Sequence, residues 1–235
     1  HETGRGRPLI FLPGFGGLGS RMLEYGPPAR IAEHGYRVLL PDFRGHGDSA
    51  TPNQATTFSP DVLAEDGLAL ISFLGFDNGD YDLAGYSLGA RIVVRMLARG
   101  AEPGRAVVAG QGLAKVSGPQ QGGANHRVLT AIVNGIEIEP DSPDARTAHA
   151  LSMSGAEPRV LLGVLDSLVP TSERVLSRIR IPTLVAIGDQ DERTDADRLA
   201  TLLPSSRFVR VPGDHAGALV APELTAAIVE FLSEE

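Results

Sequence analysis

Residues 85–89 have the sequence GYSLG, in which a serine stands between two glycines with the spacing G-x-S-x-G. An apolar run at 82–84 leads into the first glycine, and residues with helical spacing begin at the second. A strand, a sharp turn and a helix in this order expose a nucleophilic serine, and a Cβ in place of either glycine would crowd the turn. The helix N-terminus also favours negative charge above Ser87. The pattern predicts Ser87 as a nucleophile; the alternative is a serine that only caps the helix.

A serine hydroxyl attacks efficiently only when a base removes its proton, so a histidine must lie within hydrogen-bond reach. The chain has six histidines. His215 follows the last predicted strand and precedes the last predicted helix, where a loop can overhang the serine turn. His46 follows an early strand and is the alternative base. A histidine whose side chain only hydrogen-bonds within its own turn would look the same in sequence. His215 is the predicted base.

An imidazole base needs a carboxylate that fixes its tautomer and stabilises its cation. The sequence GDQDERTD follows the predicted strand Thr183–Ile187 and offers Asp189, Asp191 and Asp195. Asp191 is favoured because it stands three residues after the glycine that ends the strand, where a side chain turns back toward the sheet. Asp189 is the next candidate, and a solvated acidic loop is the alternative. A second strand end offers only Gln111.

The tetrahedral intermediate of acyl transfer needs N–H donors for its oxyanion. The loop LPGFGG at 12–17 follows the first predicted strand. The backbone N–H groups of Phe15 and Leu88 are the predicted donors, and Phe15, Tyr86 and Leu88 are predicted to contact the substrate. The loop lacks the G-x-x-x-x-G-K-[ST] phosphate-binding pattern and does not fit a dinucleotide fingerprint. No cofactor and no metal are therefore predicted.

Short apolar runs alternate along the chain with longer stretches of helical spacing, which is typical of a parallel sheet covered by helices. The predicted strands are Pro8–Leu12, Tyr36–Leu40, Asp82–Ala84, Arg105–Ala109, Thr183–Ile187 and Arg207–Val211. The longest helices predicted between and after them are Pro60–Leu74, Leu88–Ala98 and Pro222–Leu232. The sequence thus predicts one α/β domain, which suits a chain of 235 residues.

The interval 110–180 breaks this alternation, because it contains no convincing strand. A Gly/Gln-rich loop at 117–124 opens a series of predicted helices: Asn125–Ile136, Pro143–Met153, Pro158–Leu168 and Thr171–Ile179. One crossover needs one helix, so residues 111–179 are predicted to form a helical cap and a crossover helix, with 1–110 and 180–235 as the core. Apolar residues of the cap are expected to divide between packing and facing the substrate, for example Ile132, Ile136, Leu162 and Leu165.

In their order, these motifs resemble the α/β-hydrolase superfamily, in its serine esterase and cofactor-free haloperoxidase-like branch. The resemblance covers essentially the whole chain and rests on five segments: the loop at 12–17, PDFRGHGDS at 41–49, the turn at Ser87, the segment from PTLV at 182–185 to Asp191, and the loop of His215. It implies a mostly parallel sheet flanked by helices, with a short helical cap between the sixth and seventh strands that shapes an acyl pocket.

The chain departs from the family pattern at three places. Pro13 stands where many relatives have a histidine, which changes hydrogen bonding around the oxyanion loop and leaves its N–H donors in place. Asp214 precedes His215 where a glycine is common. The resemblance implies two strands before Pro8, but seven residues are too few for both, so part of the sheet is expected to be missing from the numbered chain.

Composition excludes several classes of partner and site. The formal charge is -8, and the arginines are scattered rather than grouped, which argues against nucleic acid. With no cysteine, disulfides, thiolate chemistry and a zinc ribbon are excluded. No apolar run approaches the ~18 residues of a membrane span. The protein is expected to be soluble and cytoplasmic.

The residues and the resemblance together predict a serine hydrolase that cleaves a carboxylic ester. The chain has few aromatic residues: eight phenylalanines, four tyrosines and no tryptophan. A small or aliphatic acyl group is therefore favoured. Thioester, lactone or carbon–carbon bond hydrolysis and perhydrolysis are alternatives on the same residues, and a ligand-binding protein with low turnover is another. A serine at position 87 argues against epoxide or haloalkane chemistry. The expected partner is a small ester-like molecule, and no sequence feature sets an oligomeric state.

Overall fold

The computed structural model describes residues 1–51, 58–118 and 122–234. The strands in these residues are β1 (Glu2–Gly4), β2 (Arg7–Leu12), β3 (Tyr36–Leu39), β4 (Asp82–Tyr86), β5 (Ala106–Ala109), β6 (Thr183–Gly188) and β7 (Ser206–Val211). They form one sheet in the order β1-β3-β2-β4-β5-β6-β7. β1 is antiparallel to β3, and every other pair is parallel. The predicted mostly parallel sheet is confirmed.

The N-terminal edge of the sheet differs from what the resemblance implies. The seven residues before Pro8 contain one strand, β1, and the first residue of β2. Because one strand rather than two precedes β2 among the described residues, the helical insertion joins β5 to β6 here. The insertion is the one that the family numbering places between the sixth and seventh strands.

Helices cover both faces of the sheet. They are α1 (Gly19–Tyr25), α2 (Pro28–Ala32), α3 (Val62–Leu74), α4 (Leu88–Ala98), α5 (Leu113–Ser117), α6 (Ala124–Val133), α7 (Pro143–Ser152), α8 (Pro158–Asp166), α9 (Glu173–Leu176), α10 (Ala196–Leu202), α11 (Gly217–Val220) and α12 (Pro222–Leu232). Along β2, Leu9 and Phe11 face a core formed with α1, α2 and α12, whereas Ile10 and Leu12 face a core formed with α3, α4 and α10. Burial on both faces is typical of parallel sheets.

The insertion between β5 and β6 has a small core of its own. Val128, Leu129, Leu151 and Leu161, from α6, α7 and α8, are buried against one another. The sequence did not predict α5, and part of the predicted Gly/Gln-rich loop, residues 119–121, lies outside the described residues. In the described part of the chain, no helix is both long and apolar enough to cross a membrane.

Candidate active site

Ser87 joins β4 to α4 in a backbone conformation that side-chain-bearing residues rarely adopt, with φ 54° and ψ −113°. Such a conformation costs about 1–3 kcal/mol, so its surroundings must impose it. The Ser87 N–H donates to the Ala109 carbonyl at 2.8 Å. A Cβ on Gly89 would lie 2.1 Å from the Leu12 carbonyl oxygen, and one on Gly85 would lie 2.3 Å from the Gly89 backbone. Both glycines are therefore required for this tight turn.

The side chains of Ser87, His215 and Asp191 form a chain of hydrogen bonds. In the tautomer protonated on Nδ1, His215 donates to Asp191 Oδ2 at 2.7 Å, and His215 Nε2 accepts from the Ser87 hydroxyl at 3.0 Å. The three residues follow β4, β7 and β6, whose carboxyl ends meet at one edge of the sheet. This arrangement places a hydroxyl, a base and a carboxylate in the order that nucleophilic catalysis requires.

The Asp191 carboxylate is fully buried, with none of its side chain exposed. Its second oxygen, Oδ1, accepts from the backbone N–H and from Nη1 of Arg193, both at 3.0 Å. Burial by itself raises the pKa of Asp191, but the hydrogen bonds from Arg193 and His215 outweigh it and hold the pKa below its ordinary value. The carboxylate is therefore ionised beside His215 at neutral pH.

The two other candidate aspartates have different partners. Asp189 Oδ1 accepts from the Gly213 N–H at 2.9 Å, in the turn that precedes His215. Asp195 Oδ2 accepts from the Ala114 N–H at 2.7 Å, at the start of α5. Both carboxylates therefore hold neighbouring loops, and Asp191 is the one that the structure brings to His215.

His46, the alternative base, lies in the loop after β3. Its side chain is buried, and its Nδ1 lies 3.2 Å from the Arg44 carbonyl oxygen. Its ring meets the Phe43 ring edge-on, with the centroids 6.3 Å apart. Burial lowers the pKa of His46. Within the described residues no hydrogen bond joins His46 to Ser87, so it fits the alternative of a loop residue that bonds to its own turn.

Two further side chains support the site in ways that the sequence did not indicate. The Tyr86 hydroxyl donates to the His215 carbonyl at 2.6 Å, and the two rings lie 5.4 Å apart. Burial, followed by the charge of Asp191, raises the pKa of Tyr86, so the phenol keeps its proton. Gln111 Nε2 donates to the Ser87 carbonyl at 2.8 Å. Gln111 was visible in the sequence only as a polar residue at a strand end.

Asp214, which replaces a common glycine, has a local structural role. Its Oδ1 accepts from the backbone N–H groups of Ala216 at 3.1 Å and Gly217 at 2.7 Å. These bonds begin the short helix α11 directly after His215. The carboxylate therefore stabilises the turn that carries the histidine.

The loop at 12–17 runs directly beside Ser87. A Cβ on Gly14 would lie 3.6 Å from the Ser87 Cβ, and the Gly17 N–H donates to the Gly14 carbonyl at 2.9 Å. In the part of the chain that the structure describes, the N–H groups of Phe15 and Leu88 donate to no protein group. Both N–H groups are therefore available to a ligand at this turn.

A cavity of about 530 Å³, here called the larger cavity, opens on one side of Ser87 and His215. Its wall is largely apolar and comes from α1, α11 and the insertion, with Tyr86 and Phe15 beside the serine; it includes Met22, Leu151, Leu219 and Val220. Arg21 and Asn125 are polar residues of the same wall. Its size is that of an ordinary small-molecule site.

A cavity of about 240 Å³, here called the smaller cavity, also reaches Ser87. Phe15 lines both cavities, and Leu88 lines the smaller one. Of the four apolar insertion residues expected to divide between packing and substrate, Leu165 lines the smaller cavity, Leu162 packs in the core of the insertion, and Ile132 and Ile136 are exposed.

One group of possible metal ligands lies outside the site. Among the described residues, His1, Asp42 and Asp48 have ligand atoms within 4.8 Å of one another. Asp42 already accepts from the Gly19 N–H at 2.7 Å and from the Asp48 N–H at 3.1 Å. These bonds hold the loop after β3 against the start of α1, which accounts for the cluster.

Residues 9–228 match the alpha/beta hydrolase family. The chain is 37% identical over 98 residues to the AB hydrolase superfamily protein YisY of Bacillus subtilis (strain 168) and 35% identical over 98 residues to N-formylmaleamate deformylase of Pseudomonas putida; each match covers 42% of this chain and 34% of the relative. The matched part thus spans about a third of these curated relatives. The fold is similar to that of an esterase from Exiguobacterium antarcticum, with a TM-score of 0.77 and 22% identity over 100% of this chain and 94% of that one.

Proposed function

Because the chain belongs to the alpha/beta hydrolase family, we propose that it is a serine hydrolase that cleaves a carboxylic ester through an acyl-enzyme on Ser87. The observation that carries the proposal is the hydrogen-bond chain from Ser87 through His215 to the buried Asp191. The match to a deformylase is consistent with acyl chemistry.

In the first half of the reaction, His215 Nε2 takes the proton of Ser87 as its oxygen attacks the ester carbonyl. The imidazolium that forms is stabilised by the ionised Asp191, and it then protonates the departing alkoxide. Ser87 is left as an acyl ester, and the alcohol leaves. In the second half, His215 activates a water that attacks this acyl ester, which releases the acid and restores the serine.

The negative charge of each tetrahedral intermediate would be bound by the backbone N–H groups of Phe15 and Leu88. The proposal is supported by the absence of protein acceptors for these two groups among the described residues. Leu88 is also the first residue of α4, so its N–H lies at the positive end of the helix dipole. Fixed donors of this kind are worth about 2.7–4 kcal/mol each in the transition state.

The larger cavity is the proposed acyl pocket, and residues 111–179 are the proposed cap that shapes it. Ala150 and Leu151 of α7 and Asn125 of α6 lie in its wall. Its apolar side chains favour a small or aliphatic acyl group. Phe15 and Tyr86 would contact the substrate beside the reacting carbonyl.

A fluorophosphonate probe tests the nucleophile, and a panel of 4-nitrophenyl esters from acetate to decanoate tests turnover. We expect the probe to label Ser87 and the panel to show turnover that labelling abolishes. Labelling of another residue would contradict the proposal. Labelling of Ser87 without turnover of any ester would favour a ligand-binding protein over an esterase.

A further inference from the structure

Arg91 is a buried cation that forms no ion pair within the described residues. Only 2% of the residue is exposed, yet its Nε and Nη2 atoms have no hydrogen-bond partner there. Burying a charge without a partner is costly, and such groups are normally paired in folded proteins. Arg91 has no part in the proposed reaction steps, so its burial calls for another explanation.

The neighbouring arginines on α4 show why Arg91 is left without a partner. Arg91 and Arg95 of α4, and Arg99 directly after its end, follow one another at four-residue steps and therefore lie along one side of the helix. Asp61 accepts from Arg95 Nε at 2.9 Å, from Arg95 Nη2, and from Arg99 Nη1 at 3.1 Å. The two outer arginines thus share the nearby carboxylate. The innermost one, one helical turn from Ser87, receives none.

Arg91 lines the smaller cavity, which also reaches Ser87. Lys115 and Arg193 line it too, and the Nη1 atom of Arg193 is engaged with Asp191. The carboxylate in its wall is that of Glu192, whose side chain is 81% exposed. Positive charge therefore exceeds negative charge around this space. Within the described residues, no protein acceptor bonds to Nε or Nη2 of Arg91.

Resting on the function proposed above, we propose that the smaller cavity binds a carboxylate of the substrate through Arg91, so that the preferred ester carries a negative charge on its acyl or its alcohol part. An Arg–carboxylate pair forms N–H···O bonds, and the guanidinium of Arg91, whose Nε and Nη2 are covered and have no partner in the described residues, would turn toward the cavity to form them. The cavity holds about 240 Å³, and a cavity of about 150 Å³ is known to accept benzene, so a short carboxyalkyl group fits.

The charge of Arg91 agrees with an anionic occupant, whereas Gln111 adds an acceptor that needs a donor. Burial and the charge of Arg95, against the opposing charge of Asp61, lower the pKa of Arg91 to about 10, so the guanidinium stays charged at neutral pH and gains from an anion. The buried Oε1 of Gln111, in the same wall, also has no partner in the described residues. A hydroxyl or N–H group of the same ligand, or a water beside it, would donate to that oxygen.

Two pairs of esters test the charge and distinguish where the substrate carries it; a preference in the acyl pair would place the acyl group in the smaller cavity instead of the larger one. The acyl pair is 4-nitrophenyl hydrogen glutarate and its methyl ester, and the alcohol pair is 3-carboxyphenyl butanoate and its methyl ester. We expect the wild type to prefer the acid in one pair by roughly 10- to 100-fold in kcat/KM, as hydrogen bonds to a buried charge imply. Arg91→Met should abolish this preference, and Arg91→Lys should keep part of it.

Matched variants separate this site from other arginines. Arg198→Met removes a positive charge from an exposed position on α10 and should leave the preference for the acid unchanged. Arg21→Met removes a positive charge from the wall of the larger cavity. If Arg21→Met abolishes the preference and Arg91→Met does not, the anion binds in the larger cavity and the proposal is overturned.

A thermal shift with glutarate tests the site without turnover. Glutarate should raise the Tm of the wild type, dimethyl glutarate should not, and Arg91→Met should remove the shift. Equal kcat/KM for acid and methyl ester in both pairs, with no glutarate shift, overturns the carboxylate site while Ser87-dependent hydrolysis stands. Full turnover in Ser87→Ala overturns the proposed function instead, and the glutarate shift still decides the anion site.

Discussion

Two polar clusters flank Ser87, and they differ in how completely their hydrogen bonds are formed. In the first cluster, both oxygens of Asp191 and both ring nitrogens of His215 have partners at 2.7–3.0 Å. In the second cluster, Arg91 and Gln111 are buried, but Nε and Nη2 of Arg91 and Oε1 of Gln111 have no partner in the described residues. The first cluster is fixed before any substrate arrives, whereas the second requires a further group to complete it.

This difference has a functional consequence. A completed network holds its side chains in one geometry, which suits groups that act on every substrate. An incomplete network discriminates, because ligands that satisfy it gain more than ligands that do not. Substitutions in the first cluster should therefore lower the turnover of all esters, and substitutions at Arg91 should change only their ranking.

The largest effect should come from Ser87→Ala. Removing the nucleophile costs on the order of 10⁴ to 10⁶ in kcat. The fold should remain, since the partly buried side chain lines the two cavities and is outside the hydrophobic core. Steady-state kinetics with acidic and neutral esters measure the loss, which should be equal for both. Ser167→Ala, which removes a buried hydroxyl bonded to the Val164 carbonyl, is the control and should keep its activity.

Retention of more than about a tenth of the activity in Ser87→Ala would refute the nucleophile, given the expected loss. A loss confined to the acidic esters would contradict the division between the two clusters. In that case Ser87 would belong to recognition rather than to chemistry.

Asp191→Asn should lower kcat by about 10⁴, because an amide at this position holds the imidazole in the wrong tautomer. Asp189→Asn and Asp195→Asn are matched controls in the same loop, and their partners are backbone N–H groups rather than His215. Both should lose much less activity. If Asp189→Asn proves to be the inactive variant, the hydrogen bond to the Gly213 turn matters more than the one to His215.

Tyr86→Phe should have a smaller effect on the first cluster. It removes a hydrogen bond to the His215 carbonyl, and a single bond of this kind is worth about 1 kcal/mol, or roughly fivefold in kcat/KM. The rate of Ser87 labelling by the fluorophosphonate should fall to the same degree. Tyr81→Phe removes another buried hydroxyl, from the opposite end of β4, and should leave both rates unchanged. Equal rates in both variants would mean that Tyr86 only fills space.

Much of the fold follows from the sequence, because periodicity is a local property. The bounds of α4 and α12 are those predicted, Leu88–Ala98 and Pro222–Leu232. The helix α5 was not predicted, since five residues are too few to show a 3.6-residue period. Its start also depends on Asp195, which is distant in sequence.

The sequence predicts the first cluster but not the second. Ser87, Asp191 and His215 each follow a predicted strand, so the topology of a parallel sheet indicated that they meet. Arg91 could not be singled out, because a missing partner is a three-dimensional fact. Arg91 lacks a partner because Asp61, thirty residues away in sequence, accepts hydrogen bonds from Arg95 and Arg99 instead.

The smallest expected effect concerns the pH dependence of stability. Hydrogen bonds hold the pKa of Asp191 in the folded protein below its ordinary value, which the unfolded chain retains. The stabilisation is therefore complete above the ordinary carboxyl pKa of about 3.9 and is lost as the pH falls through the lower folded value. Urea unfolding of the wild type and of Asp191→Asn between pH 6 and pH 3 measures it. The free energy of unfolding of the wild type should fall more steeply, because asparagine has no proton to bind.

Asp61, whose pKa is also lowered, remains in both proteins, so its contribution cancels in the comparison. Parallel curves for the wild type and Asp191→Asn would show that the network around Asp191 is not complete before the substrate binds, which would remove the contrast with Arg91.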